Sequence, residues 1–200
     1  MYTLINGSPK PRYSNSEYFL NLISNNLENF CTFDLKKGEL DKIVSNIQKS
    51  NIIILAFPLY VDSPTSIVLK FLDYIYDKKI NLEDKQLYVV INCGFREGSQ
   101  NITALNIIKR WCDKVNISYC GSLLIGAGEI VGKKHYRFIC REALKKLNHF
   151  SKVIKKGEKC DDLVTTMDIL NNKIYCFLAN RNWSKSGKKN NLTIEDIKIK

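Results

Sequence analysis

The chain has 200 residues, 44% of them hydrophobic and 26% charged, with a formal net charge of +11. That length suits one domain with a substantial core, or one domain plus a modest appendage, and the composition is that of a globular protein in water. No apolar run approaches the ~20 residues of a membrane-spanning helix, and no basic region followed by an apolar stretch opens the chain; the expectation is a cytoplasmic protein without a membrane partner.

The first strand, Tyr2–Ile5, runs into Asn6-Gly7-Ser8-Pro9-Lys10-Pro11-Arg12-Tyr13-Ser14-Asn15-Ser16, a loop of glycine, proline, basic and hydroxyl residues. An amphipathic run begins near Ser16, with Phe19, Leu22, Ile23 and Leu27 as its apolar stripe. A hydroxyl-rich loop ending on a helix N-terminus suits a phosphate, because unpaired N–H groups and the positive end of the helix dipole face the anion. The loop lacks the Gly-Lys-Ser/Thr ending of a nucleotide P-loop and the Gly-x-Gly-x-x-Gly of a dinucleotide site. A phosphomonoester such as that of FMN is the natural candidate.

A weaker strand, Cys31–Leu35, precedes a short helix near Leu40–Gln48 with Ile43, Val44 and Ile47 inward. Asn51–Phe57 is a continuous β-branched and apolar run, the pattern of a central strand buried on both faces. Ser63 and Pro64 suit the N-cap and first position of the next helix, which carries Val68, Phe71, Leu72 and Ile75 at i, i+3, i+4 and i+7. Leu87–Asn92 is another buried strand, and Ile102, Leu105, Ile108, Cys112 and Val115 mark the helix after Gly98. Tyr119–Ile125 makes a fifth strand, ending at Gly126-Ala127-Gly128, and a last helix runs from about Lys134 to His149. This alternation predicts an α/β fold over residues 1–150, a flavodoxin-like doubly wound five-stranded parallel sheet of order 2-1-3-4-5.

Residues 151–200 form a basic C-terminal extension with a weaker pattern. Asp162–Leu170 suits a helix, Ile174–Leu178 a short apolar patch, Ser184–Asn191 an exposed loop, and Thr193–Lys200 an edge strand or docking arm. Residues 1–130 hold 14 Lys and Arg against 13 Asp and Glu, whereas residues 131–200 hold 17 against 7. Such clusters can serve nucleic acid or another acidic surface, but aromatic residues do not interleave with these lysines as a stacking platform requires. Solvated helix faces are the simpler reading. The seven cysteines, at 31, 93, 112, 120, 140, 160 and 176, are widely spaced and lack a Cys-x-x-Cys pair, a poor framework for disulfides or metal. Buried reduced thiols are expected, and His135 and His149 stand without ligand company, so no metal site is expected.

In an open parallel sheet, ligands sit beyond the C-terminal strand ends where strand order reverses. Three loops meet that condition: Gly7–Ser16, Pro58–Thr65 and Cys93–Asn101. The second offers an aromatic and apolar wall for a flat ring, and the third offers two glycines, Phe95, and Arg96 to face an anion or the N1 side of a reduced flavin.

The combination Gly7-Ser8-Pro9-Lys10…Ser14-Asn15-Ser16, then Pro58-Leu59-Tyr60-Val61-Asp62-Ser63-Pro64 followed by Leu69-Lys70-Phe71-Leu72-Asp73, resembles the NAD(P)H-dependent FMN reductases of the flavodoxin-like superfamily over roughly residues 1–130. The resemblance implies that Ser8, Ser14, Asn15 and Ser16 hold the FMN phosphate with Lys10 nearby. Pro58, Leu59, Tyr60 and Val61 would line the isoalloxazine, and Asn92, Cys93, Gly94 and Phe95 would close its other edge with Arg96. It further implies hydride transfer from NAD(P)H, a transient substrate, through flavin N5 to a quinone, nitro compound, free flavin or similar small-molecule acceptor, in a homodimer, with no catalytic nucleophile. Some relatives carry an iron–sulfur cysteine cluster after the third strand; this chain has no cysteine between 31 and 93. The competing readings are a flavodoxin-type electron carrier without turnover of its own, which the basic charge and extra length disfavour, and an acidic-surface or nucleic-acid binding module.

Overall fold

The structure is a computed structural model that describes residues 1–131, 140–167, 171–193 and 195–196. In chain order its elements are β1 (Tyr2–Asn6), α1 (Asn15–Ser24), β2 (Phe30–Asp34), α2 (Leu40–Lys49), β3 (Ile52–Pro58), α3 (Ser66–Asp77), β4 (Gln86–Asn92) and α4 (Ile102–Val115). They continue with β5 (Ser118–Ile125), a one-turn α5 (Gly128–Val131), α6 (Arg141–Lys156), β6 (Leu163–Thr165) and α7 (Asn172–Lys189). The strands form one parallel sheet of order β2-β1-β3-β4-β5-β6. The sheet therefore has six strands rather than the five expected.

The central strands are apolar because helices cover both faces. Ile43, Val44 and Ile47 of α2, Val68, Phe71, Leu72 and Ile75 of α3, and Ala104, Leu105, Ile108 and Cys112 of α4 bury one face of β1, β3 and β4. On the other face α1 and α6 lie together, with Phe19, Leu20, Ile23, Leu147, Phe150 and Ile154 buried. Each fully buried side chain of this size contributes about 1.5–3 kcal/mol, so the two layers account for the fold without any disulfide among the described residues.

Three expectations change here. Asp162–Leu170 does not begin as a helix: Leu163–Thr165 pairs with Leu123–Ile125 as the sixth strand, and residues 168–170 lie outside the described residues. Three short residues with two β-branched neighbours suit an edge strand better than a helical turn. The third helix starts at Ser66 with Thr65 as its N-cap residue, because Ser63 is held in a turn instead: its N–H and C=O both pair with Tyr60. The Ser184–Asn191 loop is helical through Lys189, part of an 18-residue α7 that also absorbs the Ile174–Leu178 patch. The Ser184 hydroxyl bonds back to the Asn180 carbonyl at 2.9 Å, so its polarity is spent within the helix rather than breaking it. The sixth helix is described from Arg141 onward; the expected start near Lys134 lies outside the described residues, as do 194 and 197–200 of the expected terminal arm.

The chain divides into two compact units, Met1–Thr166 and Met167–Lys200. The division expected at residue 150 falls inside α6. In the second unit Asn171 caps α7 by accepting the Lys173 N–H at 2.9 Å, and the Asp196 carboxylate closes a turn on Thr193 at 2.7 and 2.6 Å. No helix among the described residues is long and apolar enough to cross a membrane.

Candidate functional site

The C-terminal ends of β1, β3, β4 and β5 carry four loops on one edge of the sheet, and polar side chains stitch the loops to each other. The first is organised by Asn6, the last residue of β1. Its Oδ1 accepts the Ser8 N–H at 3.1 Å and the Ser14 hydroxyl at 3.4 Å, while its amide donates to Asp34 at 3.4 Å. The Ser8 hydroxyl, 1% exposed, accepts the Lys10 N–H at 3.4 Å. Ser14 caps α1 through the Glu17 N–H at 3.1 Å. The loop lies tight on β3: Gly7 N–H donates to Ala56 at 2.7 Å, and a Cβ on Gly7 would stand 2.3 Å from Val68. Thr65 anchors it from the α3 side, its hydroxyl donating to the Gly7 carbonyl at 2.8 Å.

Between these anchors the chain turns sharply at Tyr13, where φ is 38°. The backbone N–H groups of Arg12, Tyr13, Ser14, Asn15 and Ser16 have no acceptor among the described residues. They form the open, electropositive end of α1. Asn15 is half-buried there.

The second loop is a two-residue hairpin. Tyr60 and Ser63 exchange backbone bonds at 3.1 Å, and Val61 and Asp62 between them sit at φ 50° and 55°. That geometry favours Asn-Gly; a β-branched valine at positive φ is strained. Val61 is 97% exposed, Tyr60 is also exposed, and Leu59 and Pro64 are buried beneath. Leu59 N–H donates to Asn92 O at 2.8 Å, which ties this hairpin to the end of β4. Pro58, half-buried, ends β3.

The third loop is braced from the far side of the sheet. Gly128 N–H donates to Cys93 O at 2.8 Å, Ala127 N–H to Phe95 O at 2.6 Å, and Gly126 N–H to the Thr165 hydroxyl at 3.2 Å. A Cβ on Gly126 would meet Arg96 O at 2.2 Å, and one on Gly98 would meet Leu124 O and Thr165 O at 2.4 and 2.5 Å. Only glycine permits backbones to approach so closely. Gly94 and Phe95 are left exposed at the mouth, and Arg96 is half-buried with its Nε on Glu97 at 2.9 Å.

Three residues expected at the site also fasten the loops from within. Asn92 donates to Ser16 Oγ at 3.0 Å and Phe57 O at 3.2 Å, so its amide joins α1, β3 and β4. Ser16 and Asn92 are both buried. Cys93 lies under the third loop, with Asn101 on its sulfur at 3.6 Å, and burial pushes the thiol up to about 11. Burial and the raised thiol both disfavour the reactive thiolate at neutral pH. Lys10 reaches across the edge toward Glu129 at 3.9 Å, while Lys36 holds the Lys10 carbonyl at 3.1 Å. Reading the sequence alone misses Asn6, Thr65, Asn101 and Thr165; the available signal for the first was an asparagine closing a buried strand, as Asn92 also does.

No family model matches the sequence, and no curated protein does either. Solved structures do match. An NADPH-quinone reductase from P. pentosaceus is 18% identical over 77% of this chain and 96% of that chain, with a TM-score of 0.59. The Trp repressor binding protein of Bacillus subtilis is 18% identical over 63% and 84%, with a TM-score of 0.57. An FMN-dependent NADH-azoreductase from Bacillus anthracis, solved in complex with FMN, is 11% identical over 77% and 99%, also at 0.57. With these likenesses and the strand order, the chain has a flavodoxin-like α/β fold whose parallel sheet carries a sixth strand.

Proposed function

We propose that the chain is an FMN-dependent NAD(P)H oxidoreductase that delivers reducing equivalents to a small-molecule acceptor of the quinone, flavin or nitro class. The observation that carries this reading is one shared edge. The unpaired N–H groups of Arg12–Ser16 and the exposed Tyr60, Val61 and Phe95 all stand on the loops that follow the adjacent strands β1, β3 and β4, an anion cradle and an apolar mouth on one sheet edge. A phosphate with a flat ring attached asks for that pairing.

The residues fit FMN with a changed division of labour. The α1 N-terminus, Ser14 and Asn15 would hold the phosphate, with Lys10 close by. Tyr60 and Val61 on one side and Gly94, Phe95 and Arg96 on the other would border the ring, while Leu59 and Pro58 shape the floor. Ser8, Ser16, Asn92 and Cys93 set the loops from beneath. Bound FMN would supply the hydride chemistry; the chain would orient the partners and shield the ring edge. The exposed Tyr13, Tyr60, Val61 and Phe95 also support a homodimer that covers this mouth.

Titration of the purified protein with FMN, followed by NAD(P)H oxidation with a quinone, tests the reading. Saturable quenching of flavin fluorescence and steady turnover are expected. Failure to take up FMN removes the proposal, and uptake without turnover indicates an electron carrier instead.

A further inference from the structure

Tyr88 of β4 pairs with Gly121 of β5, and Leu87 pairs with Tyr119, so Cys120 is the extra residue of a β-bulge. Gly121 takes φ 135° there, and a second segment, the one after α6, lies directly on it. Cys160 N–H donates to Cys120 O at 2.9 Å. A Cβ placed on Gly121 would stand 2.6 Å from the Cys160 sulfur. Because paired residues project from the same face of a sheet, the Cys160 sulfur lies on the side of Tyr88. The Cys120 thiol donates to the Ser118 carbonyl at 3.5 Å, and the Tyr88 hydroxyl donates to the Glu158 carbonyl at 2.8 Å, two residues before Cys160. The two cysteines therefore sit on neighbouring backbones beside Tyr88, which meets Phe150 of α6 edge to face at 5.9 Å.

We propose that Cys120 and Cys160 are a modification site, a thiol pair that a peroxide converts to an intramolecular disulfide pinning the segment after α6 to β5. A backbone N–H···O bond between two residues holds their Cα atoms roughly 5–6 Å apart, within the span a disulfide bridges. The exposures differ in the useful sense: Cys160 is half-buried between exposed Lys159 and Asp161, whereas Cys120 is buried. Peroxide reaches Cys160 first. Its thiolate attacks one peroxide oxygen, the O–O bond breaks, and a sulfenic acid forms as the departing hydroxide takes a proton to become water. The Cys120 sulfur then attacks the Cys160 sulfur, the S–O bond breaks, and a second water leaves with the Cys120 proton. Two thiols are oxidised and one peroxide is reduced to two waters. Burial, then Asp162 and Asp161 nearby, hold the Cys160 thiol above its ordinary value, so its reaction with peroxide is slow at neutral pH and speeds up as pH rises. The pair lies outside the proposed FMN site, and the inference does not rest on that reading.

The test treats the full chain with hydrogen peroxide, alkylates the remaining thiols and maps peptides without reduction. The expected product is a Cys120–Cys160 linked peptide lighter by two hydrogens, with both residues losing alkylation together. Dithiothreitol restores both, and Cys160→Ser and Cys120→Ser each abolish the link. The oxidised protein melts at a higher temperature than the reduced one, because the link closes a long loop of the unfolded chain. Full alkylation of both thiols after peroxide, or a link from Cys160 to another cysteine, would overturn the proposal.

Discussion

Ser14 shows how one side chain serves structure and, in the proposed function, binding. Its hydroxyl accepts the Glu17 N–H and donates toward Asn6, while its own N–H lies in the unpaired row at the head of α1. Ser14→Ala loses the cap, a cost of about 1 kcal/mol in stability, and lowers FMN affinity as well. Ser14→Asp separates the two roles: aspartate caps as well as serine and complements the helix dipole, but it places a negative charge where the phosphate would sit. Melting curves and FMN titrations are expected to show near-native stability with FMN binding lost. Native affinity in the aspartate variant would move the phosphate elsewhere. At this scale the sequence revealed residue types better than their tasks. The hydroxyl-rich loop was legible because a helix start needs such groups. That Ser16 and Asn92 face each other was not, because the contact joins positions 76 apart in sequence and needs the sheet to bring them together.

Among the elements, the Tyr60–Ser63 hairpin is the least comfortable backbone in the site. Two non-glycine residues in the left-handed region cost about 1–3 kcal/mol each, and the exposed Val61 gains nothing from burial in return. In the proposed function this hairpin borders the flavin ring, and strained backbone of this kind clusters at ligand clamps. Replacing Val61 with Asn and Asp62 with Gly supplies the pair that a type I′ turn prefers. The double variant should melt higher than the parent and bind FMN more weakly, since the apolar tip is gone. Higher stability with unchanged flavin affinity would show that the tip plays no part in binding. The same hairpin explains why the start of α3 was misplaced: Ser63-Pro64 has the composition of a helix start, yet a turn two residues earlier consumes the serine backbone. Strands β3 and β4 were readable because their continuous apolar runs admit few alternatives, whereas β2, Phe30–Asp34, alternates polar and apolar residues and gave the weaker signal. Strand β6 was not, because three residues carry too short a pattern and its identity comes from the edge of β5 that it covers.

Across the whole first unit, one carboxylate joins parts that are far apart in sequence. Asp162 accepts from Lys109 of α4 at 2.6 Å, from Ser122 of β5 at 2.8 Å, and from the Tyr119 hydroxyl, just before β6 begins. Lys109 also lies 4.9 Å from the Tyr119 ring centre. Burial alone would raise the Asp162 carboxyl, but the bonds from Lys109, Tyr119 and Ser122 and the Lys109 charge outweigh it and hold the group below its ordinary range. Tyr119 moves the other way: burial first, then Asp162, keeps its hydroxyl protonated well above the usual value. A depressed carboxyl binds fewer protons in the folded chain than in the unfolded one, so its stabilisation is complete above about pH 4 and disappears as pH falls through the folded value. For the raised phenol the stabilisation is complete below about pH 10 and disappears as pH rises toward the folded value. Asp162→Asn removes the acid-side contribution and leaves Lys109 without its counter-charge. Urea midpoints measured from neutral to acid pH should therefore show the variant clearly weaker at pH 7, with the gap to the parent narrowing below about pH 4. A gap that stays constant through that range would mean the lost stability comes from packing, and that the carboxylate's charge does not hold the sixth strand to the sheet.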